Sequence, residues 1–522
     1  MKRTFLPLIL VLCLLLPAGT LAEIANFNPE GLPVVDETIT LHIIAAIDSD
    51  FEKTYDEQEL IQRWAADTNV DIDWILYDAA SWTEKKNMML ASADLPDVLI
   101  GTVTSFDELT YAEQGYWLPL QDLIANYTVN MKDFSERYPD IYQSFFAPDG
   151  NLYKIPRLKG QEDMIYPNRT YINRTWLDQL GLEAPTNIDE FTEVLRAFKA
   201  MDPDKIIPFA FRTNDPITAR TVFNRYYPYG FFGTFGRFDT PDHIVLEDGE
   251  VVFTADKEEF RNAIRWFRMA MEEGLIDPEA FTMDTAAYKA KNTSGDNVYG
   301  VWTGWTVEET TNPPEQGIID YEMLPPLFNV NGEQIWPRFA YNIAASSGNV
   351  LITSVNKYPE ATIRFLDYAW DPYFSIQTDW GIDGLGSVIN DDGSWEILGG
   401  GLRAARMAEG MAWNFATLVP QHIYDLCVYT SPVKQFEADS CAVYSPYGQD
   451  LYPNIYFTLE ETQEMTQLFT DICSYIANMT ATWIVEGGIE EQWDDYVATL
   501  NQMGLERYVQ IYADAYARFI GA

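Results

Sequence analysis

The sequence predicts an α/β fold of two lobes, joined by a three-segment hinge and followed by a helical C-terminal part. At 522 residues the chain is longer than a single core ordinarily supports, and its 47% apolar content supplies more than one. Strand and helix patterns alternate near the N-terminus, as in a mostly parallel sheet with helices on both faces. Because the alternation restarts three times, we assign residues 38–155 and 306–370 to lobe 1, residues 172–298 and 385–522 to lobe 2, and residues 156–171, 299–305 and 371–384 to the crossings.

The N-terminus has the pattern of a secretory signal peptide, predicted to span residues 1–22. Lys2 and Arg3 precede an apolar run that is well short of the ~20 residues needed to cross a bilayer, and Thr20-Leu21-Ala22 forms a cleavage site. Removal of this segment leaves 32 basic and 79 acidic side chains, a net charge of −47. Such acidity argues against nucleic acid and anionic membranes as partners, because both require clustered positive charge. We therefore expect an exported, extracellular protein.

Three cysteines would remain after cleavage: Cys427, Cys441 and Cys473. Their spacing matches no metal motif, and their number is odd. An exported location permits a Cys427–Cys441 disulfide, and three free, buried thiols are equally compatible with the sequence.

Lobe 1 is predicted to open with three strands, Ile39–Ile44, Val70–Leu76 and Val98–Gly101, with helices between them. In open α/β sheets, ligands bind outside the carboxyl ends of the strands. Asp48 follows the first strand, and Thr102 and Thr104 follow the third, so all three are candidate ligand-binding residues. Asp48 could equally cap the next helix.

An amphipathic helix is predicted from Phe260, with Ile264, Phe267 and Met271 on its buried face and Gly274 ending it. The run Val298–Trp302 after it reads as a buried strand that leads into Thr303-Gly304-Trp305. Glycine beside tryptophan at a strand mouth suits backbone approach to a ligand with an aromatic wall. Trp302 and Trp305 are therefore candidate binding residues, with a place in the core as the alternative.

Further aromatic candidates lie in the dense segment Tyr226–Gly233 and at the third predicted crossing. Tyr229 and Phe231 could present ring faces to a ligand, and Trp380 stands beside Gly381 at that crossing. Packing of the aromatic segment on its own lobe explains most of its rings equally well.

Several phrases occur together in a characteristic order: PDG-x-x-Y-x-x-P at residues 148–156, EEGLIDPEAFT at 272–282 and GVWTGW at 300–305. With them, the chain resembles the extracellular solute-binding proteins of carbohydrate ABC importers, in particular the lipoprotein LplA-like subgroup of Gram-positive bacteria. The resemblance implies a periplasmic-binding-protein-like type II fold that captures a sugar, with an oligosaccharide as the expected ligand, and delivers it to the permease subunits in the membrane. We also expect a monomer without a cofactor, a metal or catalytic residues.

The resemblance assigns Arg157 to the first crossing, where its guanidinium would donate to sugar hydroxyls or to a carboxylate, and an inter-lobe salt bridge is the alternative. It also implies that the ring of Trp305 lies against the ligand. The sequence departs from the family at two points. Cys13 lies within the apolar run after Leu12, so no clear lipobox supports a lipid anchor. The turn with Asp202 and Asp204 is too short to supply the six to eight oxygens that calcium takes.

Motifs of hydrolytic enzymes are absent from the sequence. It has no G-x-S-x-G elbow, P-loop or H-E-x-x-H motif, and His42, His243 and His422 are far apart. A secreted glycoside hydrolase remains the first alternative, because an acidic chain always offers carboxylate pairs. A carbohydrate-binding sensor or adhesin is the second.

Overall fold

A computed structural model describes residues 26–47, 53–159, 165–166, 168–213, 226–293, 297–311, 319–338, 342–343, 349–398, 418–419 and 421–521. The predicted signal peptide and Asp48 lie outside the described residues.

The first sheet has five strands in the order β2–β1–β3–β14–β4. Their bounds are β1 Ile39–Ile47, β2 Val70–Asp78, β3 Val98–Gly101, β4 Lys154–Ile155 and β14 Asn349–Ile352. Strand β1 lies between β2 and β3 and is parallel to both, which confirms the predicted mostly parallel sheet. All four residues of β3 are buried, because both faces of the sheet are covered.

Helices cover this sheet through apolar stripes. They span Glu59–Thr68, Trp82–Ser92, Ser105–Glu113, Gln121–Tyr127, Asn130–Arg137, Pro139–Gln143, Pro359–Tyr368 and Pro372–Trp380. Trp64 is fully buried, and its ring stacks on Phe365 with 4.0 Å between centroids. This contact joins segments that lie far apart in the sequence into one core.

The second sheet has four strands in the order β11–β6–β10–β7. Their bounds are β6 Arg169–Asn173, β7 Ile207–Ala210, β10 Tyr299–Gly304 and β11 Tyr321–Met323. Strand β10 is antiparallel to β6 and parallel to β7, and every residue of it is buried.

The helices of the second lobe include the predicted helical C-terminal part. They span Arg174–Leu180, Ile188–Met201, Glu258–Glu272, Thr285–Thr293, Pro432–Cys441, Leu459–Val485, Ile489–Gln502 and Leu505–Ile520. The helix predicted from Phe260 buries Phe260, Ile264 and Phe267, and Gly274 after it has a φ of +62°. A side chain other than glycine would be strained there, so the helix ends where the sequence predicts.

The remaining elements are short and pair in small sheets: β13–β5–β17, β15–β16–β18, β12–β19 and β8–β9. Their bounds are β5 Leu158–Lys159, β8 Ile244–Glu247, β9 Glu250–Phe253, β12 Trp336–Arg338, β13 Asn342–Ile343, β15 Ser387–Ile389, β16 Trp395–Ile397, β17 Leu418–Val419, β18 Cys427–Tyr429 and β19 Gly448–Asp450. Short helices span Tyr55–Glu57, Gly230–Phe235, Val307–Glu309, Gln421–Tyr424 and Ser445–Tyr447.

The chain first passes between the two large sheets at residues 156–168, from the end of β4 to the start of β6. On the way, β5 pairs antiparallel with β13 and parallel with β17. Three separate parts of the chain therefore meet in a small sheet beside this passage.

The structure differs from the sequence at the two later crossings. Strand β10 occupies most of residues 299–305 and is internal to the second sheet, and β11 still pairs with β6, so the return to lobe 1 predicted at residue 306 comes too early. The chain rejoins the first sheet at β14. Helix Pro372–Trp380, predicted as a crossing, packs Phe374 on Trp64 of lobe 1. Short apolar strands carry no signal that identifies their sheet, which explains these errors.

Cys427, Cys441 and Cys473 form no disulfide among the described residues, which argues against the Cys427–Cys441 alternative; Cys441 and Cys473 are buried and Cys427 is partly buried. Thr458 and Glu461 form a capping box at the start of helix Leu459–Val485, whereas the side chain of Ser81 does not cap helix Trp82–Ser92. The hydroxyl of Ser81 donates to the carbonyl and carboxylate of Asp78 instead.

No helix in the described part of the chain has the length and apolarity required to span a bilayer.

Asp367 fixes one helix of lobe 1 to another, so its removal should destabilise the fold. Its buried carboxylate accepts from the amides of Val129, Asn130 and Met131, at 2.8, 3.2 and 2.8 Å, where helix Asn130–Arg137 begins. We expect Asp367→Ala to lower the free energy of unfolding in urea by about 3 kcal/mol, because buried amides lose a charged acceptor. The exposed Asp94 gives a control, Asp94→Ala, expected to change it by less than about 0.5 kcal/mol. Equal effects of the two variants would contradict this role of Asp367.

Candidate functional site

In the first sheet, several strand ends meet at one edge. Strands β1 and β3 run parallel, and β4 runs in the same direction because both β3 and β4 are antiparallel to β14. The register places Ala45, Ile100, Val350 and Ile155 in one row across the sheet. The residues that follow β1, β3 and β4 therefore leave the sheet at the same carboxyl edge.

In the second sheet, the corresponding edge lies where the chain enters the lobe. Strands β7 and β10 run parallel and end at Ala210 and Gly304. Gly304 lies opposite Arg169, the first residue of the antiparallel strand β6. The carboxyl ends of β7 and β10 are thus on the same side as the segment that arrives from lobe 1.

The chain connects these two edges between the carboxyl end of β4 and the start of β6, and the structure describes residues 156–159, 165–166 and 168 of this connection. Ligands of open α/β sheets bind outside the carboxyl ends of strands, and here such ends from both sheets flank one connecting segment. This junction is the candidate functional site.

The candidates from lobe 1 lie at this edge. Thr102 and Thr104 follow β3 and are both exposed. The hydroxyl of Thr104 accepts from the amide of Asp107 at 3.1 Å and so caps helix Ser105–Glu113, while the carbonyl of Thr102 accepts from Trp82 Nε1 at 2.8 Å. Arg157 follows β4 directly and is buried. Their contact with a ligand stays a prediction.

Trp302 and Phe231 lie in the hydrophobic core, which favours the packing alternative for both. Trp302 is 0% exposed, and its ring stacks on Tyr171 at 4.3 Å. Phe231 packs against Phe191 and Trp266, with centroids 5.1 and 5.2 Å away. The aromatic segment serves mainly to fill its own lobe.

Two other aromatic candidates are partly buried, and each packs on a neighbouring ring. Tyr229 lies 4.4 Å from the ring of Tyr227, and burial raises its pKa well above the usual range. Trp380 ends helix Pro372–Trp380 and contacts Tyr429 edge-on at 5.5 Å. Neither contact assigns the residue to a ligand.

Trp305 is also partly buried, and it leaves the second sheet at the junction. Its amide donates to Glu309 Oε2 at 2.9 Å. Its carbonyl accepts from Arg169 Nη1 at 2.6 Å and from the hydroxyl of Tyr171 at 2.9 Å. Both polar groups of its backbone are therefore bound by side chains from other parts of the lobe.

Sequence reasoning did not identify these three partners. Arg169 and Tyr171 are two residues apart on β6, so strand alternation places them on one face, but the pairing of β6 with β10 is not visible in the sequence. Gly304, predicted to admit a ligand, also has a packing role within the lobe. A Cβ on Gly304 would lie 2.5 Å from the ring of Trp302, so this glycine permits close packing within the lobe.

A second group of buried polar side chains bridges the lobes near the same edge. Glu108, on helix Ser105–Glu113, is fully buried and forms an ion pair with Lys154 of β4 at 2.8 Å. Both oxygens of its carboxylate accept from the hydroxyl of Tyr456 at 2.8 Å. Tyr456 lies just before helix Leu459–Val485, whose later residues pack in the second lobe.

Among the described residues, there is no group of three or more His, Cys, Asp or Glu side chains that could hold a metal ion. Helix Ile188–Met201 and strand β7 are separated only by residues 202–206, the turn that contains Asp202 and Asp204. The absence of calcium there stays a prediction.

The different burial of the two tryptophans predicts different effects on stability. Trp302→Ala should lower the free energy of unfolding by about 3–5 kcal/mol, because it removes a buried ring and leaves a cavity beside Tyr171. Trp305→Ala should lower it by less than about 1.5 kcal/mol, because that side chain is partly exposed. Urea denaturation of both variants tests this, and a larger loss for Trp305→Ala would contradict the placement of the two rings.

Comparisons with known proteins agree with this architecture. The fructooligosaccharide ABC transporter substrate-binding protein FusA of Streptococcus pneumoniae serotype 4 is 31% identical, over 95% of this chain and 94% of that protein. The solved structure of S. pneumoniae FusA in complex with kestose has a TM-score of 0.75 at 29% identity, covering 92% of this chain and 100% of that chain. A solute-binding protein from Bifidobacterium longum infantis, described as HMO-binding, has a TM-score of 0.78 at 21% identity, covering 92% and 99%, and supports the fold.

The family described as bacterial extracellular solute-binding protein matches residues 49–372. This match includes every strand of the two large sheets except β1, which ends at Ile47, together with the segment that joins the sheets. The type II periplasmic-binding-protein-like fold predicted from the sequence is thereby confirmed, and the chain belongs to the family of bacterial extracellular solute-binding proteins.

Proposed function

We propose that this protein captures a fructooligosaccharide at the junction between its lobes and delivers it to the permease of an ABC importer. The observation that carries the proposal is that the chain runs from the carboxyl end of β4 to the start of β6, beside the carboxyl ends of β7 and β10, with Trp305 following β10. The similarity to FusA over nearly the whole chain supports a fructose-containing oligosaccharide as the ligand.

The chemistry of the junction suits a sugar. A pyranose or furanose presents C–H groups that pack on an aromatic face and hydroxyls that need donors and acceptors. Trp305 would supply the aromatic face. Thr102, Thr104, Arg157 and Asp48 would supply polar groups from lobe 1. The ligand would then contact both lobes at once.

Contact with both lobes gives binding a means of changing the shape of the protein. A ligand shifts a conformational equilibrium toward the state in which it makes more contacts. A sugar held between the lobes therefore favours their closure by hinge rotation, which is a common response of two-lobed binding proteins. The small sheet β13–β5–β17 lies beside the passage between the lobes and is placed to act as the hinge.

The proposal assigns the protein to the cell exterior as a monomer that performs no chemistry on its ligand. Export would depend on the signal peptide predicted at residues 1–22. The strongly acidic chain, with a net charge of −45 before cleavage, suits a protein that must remain free of nucleic acid and anionic lipid.

Titration calorimetry with a panel of oligosaccharides tests the proposed ligand. We expect kestose to bind the purified protein with a Kd of about 1 μM or tighter, a binding free energy of at least about 8 kcal/mol. Sucrose is the control for a smaller sugar, and maltotriose is the control for a trisaccharide that contains only glucose. Both should bind more weakly than kestose. Absence of binding to every fructooligosaccharide would contradict the proposal, and release of free sugar during the titration would favour a glycoside hydrolase.

Trp305→Ala should weaken kestose binding about thirtyfold, because loss of the stacked ring removes on the order of 2 kcal/mol. Trp176 provides a matched control, since it is partly buried and follows the opposite end of β6. Trp176→Ala should leave the Kd within about twofold. Unchanged affinity in folded Trp305→Ala protein would show that the ring does not touch the ligand.

A further inference from the structure

The backbone of Trp305 is held at both of its polar groups by charged or hydroxyl side chains. Glu309 accepts from its amide, and Arg169 and Tyr171 donate to its carbonyl. About two-thirds of the hydrogen bonds in proteins join backbone to backbone, so a residue whose amide and carbonyl are both bound by side chains is in the minority. Here, two of the three partners come from β6, more than 130 positions earlier in the sequence.

Each partner is in turn fixed by the lobe. The hydroxyl of Tyr226 donates to Glu309 Oε1 at 3.0 Å, and Lys289 Nζ lies 3.5 Å from the same oxygen. Tyr171 stacks on the buried ring of Trp302. Arg169 is 0% exposed, and its Nε donates to the carbonyl of Tyr166 at 2.8 Å. The three groups that contact Trp305 therefore have little freedom to move away from it.

The next turn of the chain is held in a similar way. The amide of Val307 donates at 2.8 Å to Glu437, which is 2% exposed. Burial raises the pKa of Glu437, while Lys434, 3.1 Å away, and Arg169 act to lower it. Lys434 also forms an ion pair with Glu308 at 2.9 Å. A buried carboxylate is costly unless it is paired, and this one is used to bind the backbone beside Trp305.

We propose that Arg169, Tyr171 and Glu309 are positioning residues, which hold the backbone of Trp305 so that its ring is preorganised for the sugar. This inference rests on the proposed function. We call the three residues the Trp305 clamp. They act through Trp305 and do not themselves touch the ligand.

The clamp affects affinity through the population of the binding-competent conformation. When only a fraction of the protein holds the ring correctly, the apparent Kd rises in inverse proportion to that fraction. Loss of one clamp contact should leave the ring correctly placed for roughly a tenth to a third of the time, which corresponds to a three- to tenfold weaker affinity.

A double-mutant cycle separates positioning from direct contact. Tyr171→Phe removes the hydroxyl that donates to Trp305 and keeps the ring that stacks on Trp302. We expect it to weaken kestose binding three- to tenfold in the wild-type background and less than twofold in the Trp305→Ala background. Equal losses in both backgrounds would overturn the inference, as would full affinity in Tyr171→Phe alone.

Tyr321→Phe is the matched control for this cycle. Tyr321 contacts the same indole ring of Trp302 edge-on at 5.9 Å, and its hydroxyl donates to the carbonyl of Tyr299 at 2.7 Å. The variant removes a buried hydroxyl from the same sheet without a contact to Trp305. It should leave the Kd unchanged, and a loss equal to that of Tyr171→Phe would overturn the inference by assigning the effect to the sheet in general.

Hydrogen exchange of the ligand-free protein tests the clamp without any sugar. The Trp305 amide should exchange slowly in the wild type and at least tenfold faster in Glu309→Ala. Mass spectrometry of the peptide that contains Trp305 measures the exchange rate in both proteins. Fast exchange in the wild type, or no change in Glu309→Ala, would overturn the clamp. A wild type that binds no kestose contradicts the proposed function separately, because the exchange result does not depend on the ligand.

Discussion

The pairing of β10 with β6 is the constraint on which the site depends. Its register places Gly304 opposite Arg169, and Arg169 is where the chain enters the second lobe. Trp305 must therefore leave the sheet beside the segment that comes from lobe 1. A slip of one residue would turn the alternating side chains of β10 to the opposite face, and Trp302 would lose its place on Tyr171.

The first sheet contributes through the directions of its strands. Strand β14 returns from a distant part of the chain and lies antiparallel between β3 and β4. Because of this insertion, β1, β3 and β4 all run the same way, and their carboxyl ends share one edge. Glu108, Lys154 and Tyr456 then fix the beginning of helix Leu459–Val485 to this lobe. The two lobes are joined both by the passage of the chain and by this buried group.

The sequence predicted the fold better than it predicted the lobe boundaries. The alternation at residues 39–101 is local, and apolar spacing places those strands and helices within a few residues of their positions in the structure. The assignment of β11 to lobe 1 was wrong because the pairing of Tyr321–Met323 with β6 is a long-range contact. Three-residue strands have no pattern that names their partner, and only the folded chain shows it.

The same limit applies to the candidate site. Glycine and tryptophan at the end of β10 drew attention to Trp305, yet they could not distinguish it from Trp302, three residues earlier and fully buried. Burial depends on the rings of Tyr171 and Tyr321, which come from other strands. Arg169 and Tyr171 were missed for the same reason, since they approach Trp305 only after β6 has paired with β10.

Small-angle X-ray scattering with and without saturating kestose tests the central claim that a sugar is held between the two lobes. Closure of the lobes around the ligand predicts a smaller radius of gyration in the complex than in the free protein. A radius that stays the same while calorimetry records binding would place the sugar elsewhere, and it would contradict the assignment of the junction as the binding site.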